Sequence, residues 1–236
     1  MKGAVNILDK KYKEQILESM DAVREKAPDI PLDYFFDIWE KFWFGEQKTE
    51  MPSIAVLGTG IPELYIRAAG AKPQFLFGGN YFTNQYAEQV FPQISDPVLK
   101  SAGSIIFSGQ LACIKDITAM VVPVSNADTR KVLPYFKELG HPIIAVEEEP
   151  FLNSKVTTKF KSSQMDFVVE LQKLTHRQIT VKSINAAAKQ ITNAHNAFKR
   201  VKTMKFPQIV KDFIKQTYYL ALDRKSTRLN SSHITI

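Results

Sequence analysis

Four short apolar runs, separated by stretches with helical periodicity, constrain the fold of this chain more than any other feature of its sequence. The runs are SIAVL (53–57), QFLFG (74–78), AMVVPV (119–124) and PIIAV (142–146). They are continuously apolar rather than alternating, which is typical of strands buried on both faces. Helical stretches near 62–69, 98–114 and 130–139 separate them. The pattern predicts an α/β fold with a parallel, doubly wound sheet.

Helices are predicted before this region. Residues 12–27 place Ile16, Met20, Val23 and Ala27 on one face, at the spacing of an amphipathic helix.

A second helix is predicted over 33–44, with Asp33 as a candidate N-cap. It carries the apolar residues Phe35, Ile38, Trp39 and Phe42. So many aromatic side chains on a short helix indicate packing against another body. The two interpretations are packing in the chain's own core and a subunit interface.

The chain is again helical after Pro150. One helix is predicted over 166–174, and a longer one, capped by Ser183, to about Met204. Its apolar stripe consists of Ala187, Ile191, Ala194, Phe198 and Val201. Pro207 then separates it from a last helix that ends near Leu222.

The composition indicates a soluble protein with a packed core, because 44% of its 236 residues are hydrophobic and 23% are charged. No window reaches ~18 uninterrupted apolar residues, so no transmembrane helix is expected. The N-terminal sequence has no apolar region typical of a signal peptide. The single cysteine, Cys113, excludes an internal disulfide and suits a reducing cytoplasm.

The net charge of +7 raises the question of a nucleic-acid partner. Three of the cations lie in the last thirteen residues, RKSTRLNSSHITI, which contain no acid. We expect the other cations to be interleaved with acids rather than gathered on one stripe. This favours a solvated surface and predicts neither nucleic-acid nor membrane binding.

The stretch SIAVLGTGIPEL places Gly58 and Gly60 after a strand, as in the dinucleotide-binding fingerprint G-x-G-x-x-G. The third glycine is replaced by Glu63, whose carboxylate would face a pyrophosphate. A strand-to-helix turn with Pro62 as the first helical residue explains the stretch equally well. A nucleotide-binding oxidoreductase domain therefore remains an alternative.

Other chemistry-bearing residues indicate no site. No metal-site spacing relates the four histidines, His141, His176, His195 and His233. Consecutive residues of an extended chain point to alternating sides, so Glu147-Glu148-Glu149 is interpreted as a solvated strand end rather than a carboxylate cluster. Cys113 lies on an apolar helix face, which favours a buried small hydrophobe over a nucleophile.

The end of the run 119–124 is the strongest candidate site, because ligands of α/β proteins bind at the carboxyl ends of buried strands. Asp128 is a candidate N-cap for a following helix, whose first amides attract anions. Arg130 and Lys131 would add charge for a phosphate or thioester ligand. Pro134 lies too deep for a helix begun at 129, which predicts a kink or a late start.

Several stretches together resemble a known family. GTGIPELYIRAAGAKPQFLFGG (58–79) contains a Pro-Glu-Leu helix start (62–64), an Ala-Ala-Gly-Ala turn (68–71) and a strand that ends in Gly78-Gly79. SDPVLKSAGS (95–104), VVPVSNADTRKVLPYFKE (121–138) and LTHRQITVKSINAAAKQITNAHNAFKRV (174–201) follow in order. The order and spacing of these blocks over about 50–222 resemble the 2-hydroxyacyl-CoA dehydratase family, of the 2-hydroxyglutaryl-CoA dehydratase D-component type. That family also contains the benzoyl-CoA reductase subunits.

The resemblance implies a Rossmann-like parallel sheet flanked by helices, and an enzyme of anaerobic metabolism. Such subunits pair with a related subunit, and each commonly carries a [4Fe-4S] cluster. An ATP-dependent activator supplies one electron, and water then leaves a 2-hydroxyacyl-CoA thioester through a ketyl radical. Gly78 and Gly79 would allow close approach of the ligand.

The chain departs from the family pattern at the cluster ligands. The family's first cluster cysteine corresponds to Asp96, before Pro97, and its second to Ala127, before Asp128. We therefore take Asp96, Ala127 and Asp128 as the former cluster pocket, and we expect this chain to bind no cluster and no other metal of its own. The two interpretations within the family are a subunit of the active enzyme and a non-catalytic, structural partner subunit.

The resemblance also predicts the organisation of the chain. We expect an N-terminal helical segment (1–50), a Rossmann-like domain (51–150) and a helical region (151–223) leading into a missing second α/β domain. The tail 224–236 has no periodicity and reads as non-native sequence, similar to translated adapter or vector sequence at the edge of a gene fragment. A natural disordered C-terminus is the alternative for this tail.

Overall fold

The structure is a computed structural model that describes residues 2–45, 51–58, 61–76, 96–108, 117–124, 127–138, 140–147 and 158–220. Within these residues, helices and strands follow one another in an order typical of α/β proteins. The elements are α1 (Lys2–Lys26), α2 (Asp33–Trp43), β1 (Ser53–Leu57), α3 (Glu63–Ala68), β2 (Lys72–Leu76), α4 (Pro97–Ser108), β3 (Ile117–Val124), α5 (Ala127–Lys137), β4 (Ile143–Glu147), α6 (Thr158–Thr175), α7 (Val181–Thr203) and α8 (Gln208–Leu220).

The four described strands form one parallel sheet in the order β2-β1-β3-β4. Every residue of β1 is buried, as expected for a continuously apolar run. Every residue of β2 is buried as well, including the polar Lys72 and Gln74. The burial of β4 alternates instead, and Ala145 is exposed. The predicted α/β class, with a parallel sheet flanked by helices, is confirmed.

Each face of the sheet has its own hydrophobic core, because successive strand residues point to opposite sides. On one face Ala55, Leu57, Met120 and Val122 pack with residues of α1, α2, α4, α5 and α8. On the other face the alternating strand residues pack with α3 and α6. Those residues are Ile54, Val56, Phe75, Ala119, Val121, Ile144 and Val146.

The N-terminal helices share the first of these cores. The predicted apolar stripe of α1, from Ile16 to Ala27, is buried, although the helix begins at Lys2 rather than at residue 12. The aromatic residues of α2 pack on α8: the Phe213 ring lies 4.9 Å from the rings of both Phe36 and Trp39. Trp39 Nε1 also donates a 2.8 Å hydrogen bond to Thr217 Oγ1. These side chains are therefore core residues, as the first of the two interpretations of α2 predicted.

Several helix ends differ from their predicted positions. Helix α2 begins at Asp33 itself, so Leu32 and not Asp33 occupies the N-cap position. Helix α6 covers 158–175 rather than 166–174. The cap of α7 is Thr180, and Ser183 completes a capping box: Thr180 Oγ1 accepts from the Ser183 amide, and Ser183 Oγ accepts from the Thr180 amide.

Helix α5 begins at Ala127, so the late start predicted from Pro134 is wrong. Pro134 lies inside the helix, where it has no N–H to donate to the carbonyl of Arg130. Asp128 is correspondingly the second helical residue and not the N-cap.

Within the described ranges, no helix is long and apolar enough to cross a membrane. The tail 224–236 lies outside the described residues, so the interpretation of this tail stays a prediction.

Candidate functional site

The direction in which the strands are added reverses between β1 and β3. The chain moves from β1 through α3 to β2 on one side, and from β3 through α5 to β4 on the other. Helices α3 and α5 cover opposite faces, since Ile66 and Phe136 belong to different cores. The carboxyl ends of β1 and β3 therefore meet at a topological switch point, where α/β proteins bind ligands.

Gly58, directly after β1, forms one wall of this switch point. Its φ angle is +82°, a left-handed conformation that favours glycine. A β-carbon at Gly58 would lie 3.8 Å from Pro123 Cγ on β3. A side chain at position 58 would therefore not clash with β3. Glycine is favoured at this position by its left-handed backbone conformation.

Asp96 and Asp128, which are 32 residues apart in the sequence, lie together at this edge of the sheet. The backbone N–H of Asp96 donates a 3.0 Å hydrogen bond to Asp128 Oδ2. Asp96 Oδ1 in turn accepts from the amides of Val98 (2.8 Å) and Leu99 (3.1 Å), so Asp96 caps α4. The Asp128 carboxylate thereby joins the first turn of α5 to the start of α4, which the Asp96 carboxylate caps.

The donor atoms at these positions do not fit an iron–sulfur cluster, which is usually held by four thiolates. Ala127 is exposed and carries no donor atom. The carboxylate of Asp96 is engaged by the amides of its own helix. Among the residues that the structure describes, no group of three or more His, Cys, Asp or Glu side chains is arranged to hold a metal ion.

Arg130 and Lys131 are both engaged in ion pairs. Arg130 contacts Glu147 at the end of β4 through both terminal nitrogens, at 3.0 and 3.4 Å. Lys131 Nζ lies 3.5 Å from Asp128 Oδ1. Binding of an anionic ligand by these cations stays a prediction, and such a ligand has to compete with Glu147 and Asp128.

A buried ion pair lies within α3, the helix that follows β1. Arg67 Nε donates to Glu63 Oε1 at 2.6 Å, and the two side chains are only 7% and 16% exposed. Arg67 Nη2 is buried and has no acceptor in the described structure. The spacing of Glu63 and Arg67 was visible in the sequence, but their burial was not. Because its carboxylate is bound to Arg67, Glu63 is not free to face a pyrophosphate.

Two of the stretches on which the family resemblance rests contact each other at the turn after α3. Gly70, in the Ala-Ala-Gly-Ala turn, has a φ of +72°, and Arg177 Cδ would lie 2.9 Å from a β-carbon at that position. Arg177 belongs to the turn before α7. His176 in the same turn has a φ of +52° and is the one non-glycine residue with positive φ in the described part of the chain.

The remaining predicted residues form no site in the described structure. His141 is half-buried, His176 and His195 are exposed, and Glu147 is the only member of its acidic triplet in the described ranges. The other candidates fall outside the described residues: Gly60, Gly78, Gly79, Cys113, Glu148, Glu149 and His233.

Comparison with known proteins adds no further assignment. No protein-family model and no curated protein sequence matches the chain.

Proposed function

We propose that this chain is a subunit of the 2-hydroxyacyl-CoA dehydratase type that works without an iron–sulfur cluster of its own. In this proposal it pairs in the cytoplasm with a related, cysteine-bearing subunit that holds the cluster. An ATP-dependent activator supplies the electron to that complex, and the substrate is a 2-hydroxyacyl-CoA thioester. The chain contributes one wall of the site, at the switch point between β1 and β3.

The observation that carries the proposal is the hydrogen bond between the Asp96 amide and Asp128 Oδ2. The resemblance aligns the two cluster cysteines with Asp96 and Ala127, which come from separate blocks of the sequence. A shared cluster requires two such positions to be close in space. The proximity of Asp96 to the first turn of α5 meets this requirement.

The turn around His176 supports the same proposal independently. The family turn Leu-Thr-Gly-Arg-x-Ile-Thr has a glycine where this chain has His176. A φ of +52° is a conformation that glycine adopts at little cost and that other residues adopt rarely. The arginine of the same turn, Arg177, lies against the glycine of the Ala-Ala-Gly-Ala block.

A second candidate function is a non-catalytic, structural subunit of such a complex. It is favoured by the internal bonds of the polar residues at the switch point. Asp96 caps α4, Asp128 accepts from the Asp96 amide, and Arg130 pairs with Glu147. Each of these groups stabilises the chain itself.

The proposal is tested by restoring the cysteines. The variant D96C/A127C is reconstituted anaerobically with ferrous iron, sulfide and excess 2-mercaptoethanol, which completes the thiolate set. We expect visible sulfide-to-iron absorbance from D96C/A127C but not from the unaltered chain. The control K137C/K173C introduces two cysteines at exposed positions remote from the switch point.

Equal absorbance from D96C/A127C and K137C/K173C would contradict the proposed pocket. A stable, stoichiometric cluster on the unaltered chain would contradict its cluster-free nature.

Co-purification with a cysteine-bearing homologue distinguishes the two candidates from a nucleotide-binding domain. For such a domain, NAD raises the melting temperature of the isolated chain.

A further inference from the structure

The formal charge of this protein is distributed unevenly. Residues 181–220 contain eight Lys and Arg residues and a single acid, Asp212, whereas residues 1–180 contain 20 cations and 22 acids. The expectation that cations and acids are interleaved is therefore wrong for the last two described helices. This segment carries an excess of seven positive charges, which equals the net charge of the whole chain.

Six of these cations lie within residues 199–215, on the end of α7, the connection after it and α8, and are here called the basic surface. Lys211 Nζ donates a 3.1 Å hydrogen bond to the Lys202 carbonyl, which fixes the junction. The other five are exposed and form no ion pair with any described residue, although Lys202 Nζ lies 5.2 Å from the centroid of the Phe198 ring. The six members are Lys199, Arg200, Lys202, Lys205, Lys211 and Lys215.

The end of α1, the following turn and α2 carry the opposite charge. Their exposed acids form the acidic surface, consisting of Glu18, Asp21, Glu25, Asp29, Asp33, Asp37 and Glu40. Asp21 and Glu40 pair with Arg24, and Asp37 pairs with Lys41. Four of these acids form no ion pair with a described residue: Glu18, Glu25, Asp29 and Asp33.

The two surfaces are neighbours in the fold but do not neutralise each other. Helix α8 packs against α1, α2 and α7, and Phe213 of α8 contacts Phe36 and Trp39 of α2. Within the described residues, no ion pair joins an acid of the acidic surface to a cation of the basic surface. Each surface therefore retains unpaired charge directed outward.

This arrangement favours a partner that carries both signs of charge. A nucleic acid or an anionic membrane would be attracted by the basic surface but repelled by the adjoining acidic one. Five of the six basic residues are lysines, whereas arginine is preferred for bidentate recognition of phosphate. A second copy of this chain satisfies both surfaces at once, because a two-fold axis places each acidic surface opposite a basic one.

We propose that the acidic and basic surfaces dock two copies of this chain into a two-fold dimer. Exposed charges of this kind are strongly screened by salt, with a Debye length of about 10 Å at 0.1 M and about 3 Å at 1 M. The dimer is therefore salt-dependent.

Analytical ultracentrifugation of the whole chain tests the proposal. At low ionic strength we expect the dimer mass, and we expect the dissociation constant to rise at least about tenfold between 0.05 and 0.5 M NaCl. The variants K199E/R200E and E18K/E25K each remain monomeric. An equimolar mixture of these two variants restores a dimer, because the reversed charges are again complementary.

The control K137E/K173E changes the charge by the same four units at exposed lysines outside both surfaces, and it retains the dimer. Circular dichroism verifies that each variant is folded. A monomeric unaltered chain at low salt, or a mixture that fails to associate, would overturn the proposal. It is also overturned if the unaltered chain stays monomeric while binding single-stranded DNA or phosphatidylserine vesicles through Lys199 and Arg200.

Discussion

The side chain of Arg177 lies so close to Gly70 that a β-carbon at Gly70 would be 2.9 Å from Arg177 Cδ. Gly70 also has a φ of +72°. Two separate costs therefore oppose a side chain at this turn between α3 and β2. One is backbone strain, and the other is overlap with Arg177.

Gly70→Ala should lower the free energy of unfolding by about 1–2 kcal/mol through left-handed strain, with a smaller added cost because the exposed Arg177 side chain has to move away. Gly140→Ala is the matched control, because Gly140 has a φ of +78° but a β-carbon there would meet nothing within 4 Å. It should cost only about 1–2 kcal/mol. Urea unfolding measures both values. If the double variant G70A/R177A is not more stable than G70A, the overlap with Arg177 is not the cause.

Glu63→Gln should destabilise the protein by about 3–5 kcal/mol, because it leaves the buried Arg67 guanidinium without its charged partner. The exposed pair Asp37–Lys41 has the same spacing and the same 2.6 Å distance, but its side chains are 53% and 70% exposed. Asp37→Asn should therefore cost less than about 1 kcal/mol. In E63Q/R67M the buried charge is absent, so most of the stability should return. A loss in E63Q no larger than in D37N would contradict the burial of the pair.

Asp128→Ala should cost about 1.5–3 kcal/mol, because the Asp96 amide loses a charged acceptor. Asp128→Asn keeps an oxygen at the same place and should cost less. Lys131→Ala removes a partly exposed contact of 3.5 Å with Asp128 and should change the stability by less than about 1 kcal/mol. Chemical denaturation of the three variants gives the order, and equal losses in D128A and K131A would contradict the role of the Asp96 amide.

His176→Gly should raise the melting temperature, because relief of left-handed strain, about 1–2 kcal/mol, exceeds the entropy that a glycine adds to the unfolded chain. His176→Val should lower it, since a β-branched residue tolerates positive φ poorly. The side chain of His176 is exposed, so little packing changes in either variant. Differential scanning calorimetry measures both shifts, and a higher melting temperature for the valine variant would contradict the left-handed turn.

The sheet was the most predictable part of this fold. Strand β1 occupies 53–57 as predicted, because a strand buried on both faces leaves an uninterrupted apolar run in the sequence. Helix ends were less predictable, since several polar residues compete as caps. At α7 the sequence offers both Thr180 and Ser183, and the two hydroxyls act together.

Burial of charge could not be predicted from local spacing. Glu63–Arg67 and Asp37–Lys41 have identical spacing, and only the packing of α3 against α7 separates a buried pair from an exposed one. The proximity of Asp96 and Asp128 is a different case. Both residues precede or begin helices at the carboxyl edge of a parallel sheet, which is where the topology brings such residues together.

The contact between Trp39 and Thr217 joins residues that are 178 positions apart in the chain. During synthesis at about 5–20 residues per second, the aromatic face of α2 waits roughly 10 to 35 s before α8 has been made to cover it. Throughout that interval, a row of Phe and Trp side chains is exposed on the nascent chain. The helices synthesised first therefore reach their final packing only after the last described helix has been made.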